Sequence, residues 1–161
     1  MGKVGGAIAF GMLITRGGYN IHIHDSSPKI LEAEYQDLRR AVKINALCED
    51  LNKLIKCGDI QPKADIHIIC AGERRALGET DNHLFKRNYK TVNMICQRIK
   101  SGLIIMVTNP ARDLARMCYR NSGVKVVPAG ERCDRICNGE EIMKGKGYTN
   151  WGIAAEVLEM I

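Results

Sequence analysis

The stretch from Gly2 to Asp25 constrains the fold of this chain more than any other part of the sequence. It begins with closely spaced glycines and continues as an apolar run long enough for a buried helix, which Gly17 and Gly18 are predicted to end. Residues 21–24 then alternate apolar and polar side chains, as a half-exposed strand does. The stretch therefore predicts a turn, a buried helix and a strand that ends in an acid.

The spacing within this stretch matches the later two-thirds of a dinucleotide-binding fingerprint. Gly2 and Gly5 are three residues apart, and Asp25 follows 20 residues after Gly5. In such a motif the glycines let the backbone approach a pyrophosphate, the helix N-terminus stabilises its charge, and the acid accepts a hydrogen bond from a ribose hydroxyl. The motif also needs a hydrophobic strand and an earlier glycine, whereas only Met1 precedes Gly2. Close helix packing is the alternative explanation for the small residues.

Length and composition place the chain among ordinary globular proteins. Its 161 residues suit one domain, and 45% hydrophobic with 26% charged residues is typical of that class. No apolar run approaches a membrane span and no signal peptide is visible, so we expect a cytoplasmic protein without a membrane partner. The net charge of +6 indicates a solvated basic surface or attraction of anionic cofactors. Only 5% of residues are aromatic and no motif is present, which argues against nucleic acid.

The seven cysteines do not form a recognisable framework. Their number is odd, no Cys-x-x-Cys pair occurs, and Cys133 and Cys137 have a spacing that zinc ribbons do not use. We therefore predict seven free thiols in a reducing compartment and no metal site. Cys70, within an apolar strand, is expected in the core.

Strand and helix patterns alternate along the rest of the chain. Ser26 or Ser27 is predicted to cap a helix whose first turn holds Pro28. Further strands are predicted at 54–57, 64–72, 103–107 and 124–127, and further helices at 84–99, from 111 to about 120, 140–143 and 151–161. Residues 103–107 are almost wholly apolar, as in a central parallel strand that is covered on both faces. This alternation predicts a doubly wound α/β domain with a mostly parallel sheet, whose ligands bind at the carboxyl ends of the strands, near Asp25, Gly72 and Asn109.

Several motifs in the right order make the sequence similar to the lactate and malate dehydrogenase family. The resemblance covers nearly the whole chain and rests on residues 2–9, Asp25, 64–72, 78–80 with 84–88, 107–110, 126–134 and 146–151. It implies a Rossmann-like domain at residues 1–128 that lacks its first strand, the central one, between the second and the fourth. Residues 129–161 would then be a helical remnant of the substrate domain.

The resemblance also implies roles for individual residues in binding NAD. Gly2, Lys3, Val4 and Gly5 would face the pyrophosphate and Asp25 the adenosine ribose. Ala71 and Gly72 would pass under the cofactor. The remaining implied cofactor contacts are Arg74, Asn88 and Asn109.

The resemblance implies only part of the family's set of substrate-binding and catalytic residues. Asn109 and Thr149 would contact a small 2-hydroxy or 2-keto acid, and Asp134 matches the acid that orients the family's catalytic histidine. Arg75 lies where the family binds its substrate, and a second arginine there suits a dicarboxylate such as malate. Residues 148–151 instead resemble the lactate branch, so the choice between lactate and malate stays open.

Three departures predict impaired catalysis. The family's histidine segment is absent, and with it much of the substrate domain. Asp81 stands where the family has the arginine that polarises the carbonyl, and Cys137 stands where it has a second substrate-binding arginine. Hydride transfer to a keto acid needs a proton donor, a cation on the carbonyl oxygen and an anchor for the carboxylate.

Two classes of function remain open at this level. One is an NAD-dependent 2-hydroxy-acid dehydrogenase, with intact activity in doubt. The other is a non-enzymatic remnant that binds nucleotide or a partner subunit, including a second copy of the chain in a homo-oligomer. An unpaired seam between the second and fourth family strands would favour such association.

Overall fold

The computed structural model describes residues 1–15, 18–45, 53–136 and 139–161. The first half of the chain forms α1 (Lys3–Ile14), β1 (Ile21–Ile23), α2 (Pro28–Asn45), β2 (Leu54–Lys56) and β3 (Lys63–Ile69). The second half forms α3 (Asp81–Arg98), β4 (Ser101–Met106), α4 (Ala111–Ser122), β5 (Lys125–Pro128), α5 (Glu131–Ile136), α6 (Gly139–Lys146) and α7 (Trp151–Met160). The predicted α/β class and alternation of strands and helices are confirmed.

The parallel strands form two separate sheets. β1 pairs with β2, and β4 lies between β3 and β5 in a sheet of three strands. Within the described ranges, no ladder joins β1 to β3. This is the interruption expected where the predicted domain lacks a central strand, and it leaves β1 and β3 as edge strands.

Helix α1 covers both sheets. Ala9 and Leu13 belong to a buried cluster with Ile21 and Ile23 of the first sheet. On another side of the same helix, Ile8 packs in a cluster with Ile105 of the second sheet and with α7. A third cluster buries α3 and α4 against the opposite side of β4. Strand β4 is thus covered on both faces, as its apolar sequence predicts.

Helix α1 differs at both ends from the prediction. It begins at Lys3, so that Gly5 and Gly6 lie inside its first turns instead of in a preceding turn. Both glycines make close contacts, because a Cβ on Gly5 would lie 3.7 Å from the Cβ of Cys70 and one on Gly6 would lie 3.1 Å from the Glu34 carboxylate. The helix ends at Ile14, where Thr15 turns to an extended conformation; Gly17, one of its two predicted stops, lies outside the described residues.

Most other predicted elements are found within a few residues. α2 starts at Pro28, and the Ser27 hydroxyl accepts a hydrogen bond from the Ile30 amide at 3.4 Å. The strand predicted at 64–72 ends at Ile69 and is mostly half-buried, because it is an edge strand and not an interior one. Helix α5 was not predicted from the sequence. Among the helices described, none is both long and apolar enough to cross a bilayer.

The prediction of seven free thiols is wrong. Cys96 of α3 and Cys118 of α4 form a disulfide, with their Cα atoms 5.6 Å apart in the buried contact between these helices. Cys57, Cys70 and Cys133 keep their thiols, and Cys48 and Cys137 lie outside the described residues. Sequence spacing did not reveal the pair, because two helices that are separated by β4 bring the cysteines together.

Candidate functional site

The N-terminus of α1 is open to a ligand. Gly2 caps this helix of 12 residues with extended backbone and no side-chain hydrogen bond. A Cβ placed on Gly2 would meet nothing within 4 Å, so there is space beside the first turn. The amides of Lys3, Val4 and Gly5 precede the first α-helical bond, in which the Gly6 amide donates to the Gly2 carbonyl at 2.9 Å. Uncapped amides and the helix dipole together suit an anion such as a diphosphate.

Strands β1 and β3 both end beside this helix N-terminus. Asp25, which follows β1, forms an ion pair with the Met1 nitrogen, and its Oδ1 accepts from the Ser27 amide at 2.8 Å. Cys70, which follows β3, lies near Gly5, since its Cβ is 3.7 Å from the place of a Cβ on Gly5. Burial raises the pKa of the Cys70 thiol to about 12, so it stays protonated at neutral pH and belongs to the packing. A carboxylate and a helix N-terminus therefore lie side by side, as a nucleotide's ribose and phosphate require.

The ends of β3 and β4 are held together by buried polar side chains. The Thr108 hydroxyl donates to the carbonyls of Ile69 and Ala71, at 3.1 and 2.9 Å. A Cβ on Gly72 would lie 2.5 Å from the Thr108 methyl carbon, so only glycine fits at this position. The backbone after β3 is thus pressed against the end of β4.

Asn88 of α3 completes this arrangement. It is only 1% exposed, and its Nδ2 donates to the carbonyls of Glu73 and Asn109 at 3.0 and 2.8 Å. Its Oδ1 accepts from the Glu73 amide at 2.7 Å. Asn88, predicted as a direct cofactor contact, is here bound to the two loops that follow β3 and β4. It fixes the backbone position of Asn109, which was predicted to contact both the cofactor and the substrate.

The segment between α6 and α7 contacts two of the predicted cofactor residues. The Lys3 ammonium lies 3.5 Å from the centre of the Tyr148 ring. Arg74 donates through Nη1 to the Gly147 carbonyl at 3.1 Å. The neighbouring Lys146 ammonium lies 4.5 Å from the same ring and donates to Asn150 Oδ1 at 2.7 Å. Tyr148, the neighbour of the predicted substrate residue Thr149, is therefore held against the side chain of the first residue of α1.

Arg75 is bound within its own loop. Its Nη1 donates to the Glu79 carbonyl at 2.8 Å and its Nη2 pairs with the Asp81 carboxylate. Arg75 was predicted where the family binds its substrate, and Asp81 where the family has the arginine that polarises the carbonyl. The structure brings these two residues into direct contact.

Helix α5 carries Asp134 and is held by α7. The Glu156 carboxylate accepts from the amides of Gly130 at 2.8 Å and Cys133 at 2.9 Å, with a longer contact to the Arg132 amide at 3.4 Å. Partial burial raises the pKa of the Glu156 carboxyl, but the three backbone donors outweigh it and bring that pKa below its ordinary value. The side chain of Asp134 lies outside the described part of the chain, and so does Cys137.

The four histidines contact sheet neighbours or solvent. His22 Nδ1 lies 3.3 Å from the Cys57 thiol, and His24 Nδ1 lies 3.1 Å from the Cys57 carbonyl. His67 Nε2 lies 3.0 Å from the Ser101 carbonyl, and burial lowers the pKa of this imidazole. His83 is exposed in the first turn of α3. No histidine follows His83 in the sequence, so none accompanies Asp134 on α5.

The structure brings together most of the residues predicted to bind a cofactor. They lie at the edge of the two sheets where the strands end: Asp25 pairs with Met1 before α1, Gly72 lies beside Asn88, and Asn88 bonds to Asn109. Arg74 bonds to Gly147, next to the Tyr148 ring that Lys3 of α1 contacts. Thr108 and Glu156 were not predicted, and their partners are backbone groups 23–39 residues away. Among the described residues, no group of three or more potential ligands is arranged to hold a metal ion.

Comparisons with known proteins agree with this geometry. The family model described as "lactate/malate dehydrogenase, NAD binding domain" matches residues 1–127. The malate dehydrogenase of Sulfurisphaera tokodaii is 28% identical over an alignment of 140 positions that covers 84% of this chain and 45% of that protein. The L-lactate dehydrogenase of Pseudothermotoga lettingae is 29% identical over an alignment of 166 positions that covers 98% of this chain and 52% of that protein. This chain thus spans about half the length of the curated relatives it matches.

Solved structures show the same fold. The malate dehydrogenase from Plasmodium falciparum superposes with a TM-score of 0.83 at 16% identity, covering 99% of this chain and 74% of that one. The malate dehydrogenase from Aeropyrum pernix gives a TM-score of 0.73 at 24% identity, covering 92% of this chain and 50% of that one. At these identities the likeness concerns the fold alone.

Replacement of Asn88 tests whether it holds the two strand ends together. Asn88→Ala leaves the Glu73 amide and the carbonyls of Glu73 and Asn109 without their partner, so we expect about 3 kcal/mol lower free energy of unfolding in urea. The control is Asn82→Ala on the exposed surface of α3, which should change stability by less than about 0.5 kcal/mol. Equal effects of the two substitutions would contradict the proposed bracing.

Replacement of Glu156 tests its contact with α5. Because the pKa of Glu156 is lower in the folded chain than in the unfolded one, its contribution to stability is present above the unfolded pKa and is lost as pH falls through the folded pKa. Glu156→Gln should therefore flatten the loss of unfolding free energy between about pH 5 and pH 3. Glu141→Gln removes an exposed carboxylate of α6 as a control. A steeper acid dependence in the Glu156 variant would contradict this assignment.

Proposed function

The chain belongs to the lactate/malate dehydrogenase family through the NAD binding domain of that family, and from this premise we propose that it binds NAD across the ends of β1, β3 and β4. The observation that carries this proposal is the open N-terminus of α1, between Asp25 and the backbone after β3. Gly2, Lys3, Val4 and Gly5 face the diphosphate in this proposal. Asp25 accepts from the adenosine ribose, and Ala71 and Gly72 lie beneath the cofactor.

The residues present fit such a group in two respects. Space beside Gly2 and uncapped amides in the first turn of α1 suit a diphosphate. The carboxylate of Asp25 suits a ribose hydroxyl that takes the place of the Met1 nitrogen at Oδ2. Arg74 and Lys3 add positive charge at the same end of the sheet. NAD, when bound, supplies the carbon that gives or takes a hydride.

The proposed substrate class is a small 2-hydroxy or 2-keto acid. Asn109 and Thr149 are the proposed contacts, and Asp134 retains the position of the orienting acid. The loop arginine, Arg75, favours malate, whereas residues 148–151 resemble the lactate branch. We propose the domain division 1–128 and 129–161, a cytoplasmic location and a homo-oligomer on the same family basis.

We further propose that catalysis by this chain is impaired. Reduction of a keto acid needs a proton donor at the oxygen that becomes the alcohol. His22 and His24 contact Cys57 instead, and His67 contacts Ser101. The side chain proposed to bind the substrate, Arg75, is paired with Asp81. Loss of one positioned donor commonly costs on the order of 10²–10³ in rate, and here more than one is missing. These contacts favour the second candidate, a non-enzymatic nucleotide-binding or subunit-interaction protein of the same family.

Two measurements separate these possibilities. The purified chain is titrated with NADH by fluorescence and then assayed with pyruvate and with oxaloacetate. Saturable binding with turnover near background supports nucleotide binding with impaired catalysis. Turnover well above background would contradict the impairment, and absence of saturable binding at millimolar NADH would contradict the proposed function.

Asp25→Ala tests the ribose contact directly. Since a hydrogen bond to a charged group contributes about 1.5–3 kcal/mol, we expect NADH to bind at least about tenfold more weakly. Asp59→Ala removes an exposed carboxylate that pairs with Arg98 and serves as the control. An unchanged dissociation constant in the Asp25 variant would show that the fingerprint was misread.

A further inference from the structure

The loop between β3 and α3 neutralises its own charges through a defined set of contacts. Arg87 of α3 forms ion pairs with both Glu73 and Glu79. The amide of Ala76 donates to the Glu79 carboxylate at 2.9 Å, and this bond together with Arg87 lowers the pKa of Glu79. Two of the loop's carboxylates are thereby occupied by one arginine.

The remaining pair in this loop is Arg75 with Asp81. Arg74 is directed to the Gly147 carbonyl, while Arg75 uses Nη1 for the Glu79 carbonyl and Nη2 for Asp81. The Arg75 side chain is 34% exposed and the Asp81 side chain 63% exposed, so an anion from solvent can reach the guanidinium only in competition with Asp81. Asp81 is also the first residue of α3, where the helix dipole favours its charge.

We propose that Asp81 weakens the binding of short dicarboxylates by occupying the guanidinium that such an acid would use. A guanidinium binds a carboxylate best through two parallel N–H bonds, and the carboxylate of Asp81 already takes one of these donors. The negative charge of Asp81 also repels a second carboxylate at the same place. The chain therefore discriminates against short dicarboxylates. This inference rests on the proposed function in one respect, the assignment of Arg75 to the substrate site.

The expected size of the effect is modest. Exposed ion pairs contribute little to stability, so displacing Asp81 from Arg75 requires little free energy. Removal of the Asp81 charge should accordingly tighten the binding of a dicarboxylate about threefold, within a range of about two- to fivefold.

The probe is malonate, a redox-inert dicarboxylate. Its binding is followed by NMR titration at low salt, with malonate added up to about 100 mM. Asp81→Asn removes the competing charge and keeps the size of the side chain. Asp59→Asn makes the same change of net charge at another exposed ion pair, with Arg98, and is the matched control. Asp81→Ser repeats the test with a smaller neutral residue in the first turn of α3, whose N-cap Thr80 is unchanged, in case the asparagine variant folds poorly.

We expect malonate to bind about threefold more tightly to the Asp81 variants and equally to the Asp59 variant and the wild type. Adding Arg75→Ala to Asp81→Asn should abolish the gain. The inference is overturned if the Asp81 variants match the wild type, if malonate binds neither chain in the tested range, if Asp59→Asn gives an equal gain, or if the gain survives loss of Arg75.

An NADH titration of the same variants separates this inference from the proposed function. If malonate affinity rises in the Asp81 variants but NADH fails to bind any chain, the proposed function fails while the role of Asp81 stands. If NADH binds all variants alike and malonate affinity does not change, the role of Asp81 fails while the proposed function stands.

Discussion

The packing of α1 between two sheets is the interaction on which the rest of this structure depends. Within the described residues β1 and β3 share no hydrogen bonds, so the two sheets are joined through side chains. Ala9 and Leu13 pack on one sheet, and Ile8 packs on the other. Apolar burial of this kind is the main favourable term in folding, and here it also positions the helix against both sheets. The open end of α1 reaches the ends of β1 and β3 for this reason.

The candidate site combines strong and weak interactions, which affect different properties. Thr108 and Asn88 are buried and bonded to backbone groups, so they fix the loops that follow β3 and β4. Such buried hydrogen bonds are costly to break. The contacts of Arg75 and Arg87 are exposed and contribute less. The backbone shape of the site is therefore rigidly specified, while its preference for one anion over another depends on a few surface charges.

Local patterns in the sequence were sufficient to predict most elements. The apolar run in β4, the cap at Ser27 and the apolar stripe of α3 each act through near neighbours in the chain. The features that escaped prediction depend on distant partners. Helix α5 has six residues and is held by Glu156 of α7, and the disulfide joins cysteines 22 residues apart on different helices. The contact between Arg75 and Asp81 spans a short loop whose backbone course the sequence pattern does not specify.

Amide hydrogen exchange with and without saturating NADH tests the central claim, that the open end of α1 is the nucleotide site. We expect slower exchange at residues 2–6, where the first-turn amides contact the diphosphate, and at residues 71–75 beneath the cofactor. Exchange in α4, which packs on the far side of β4, should not change. Unchanged exchange at residues 2–6 in a chain that binds NADH would contradict the account.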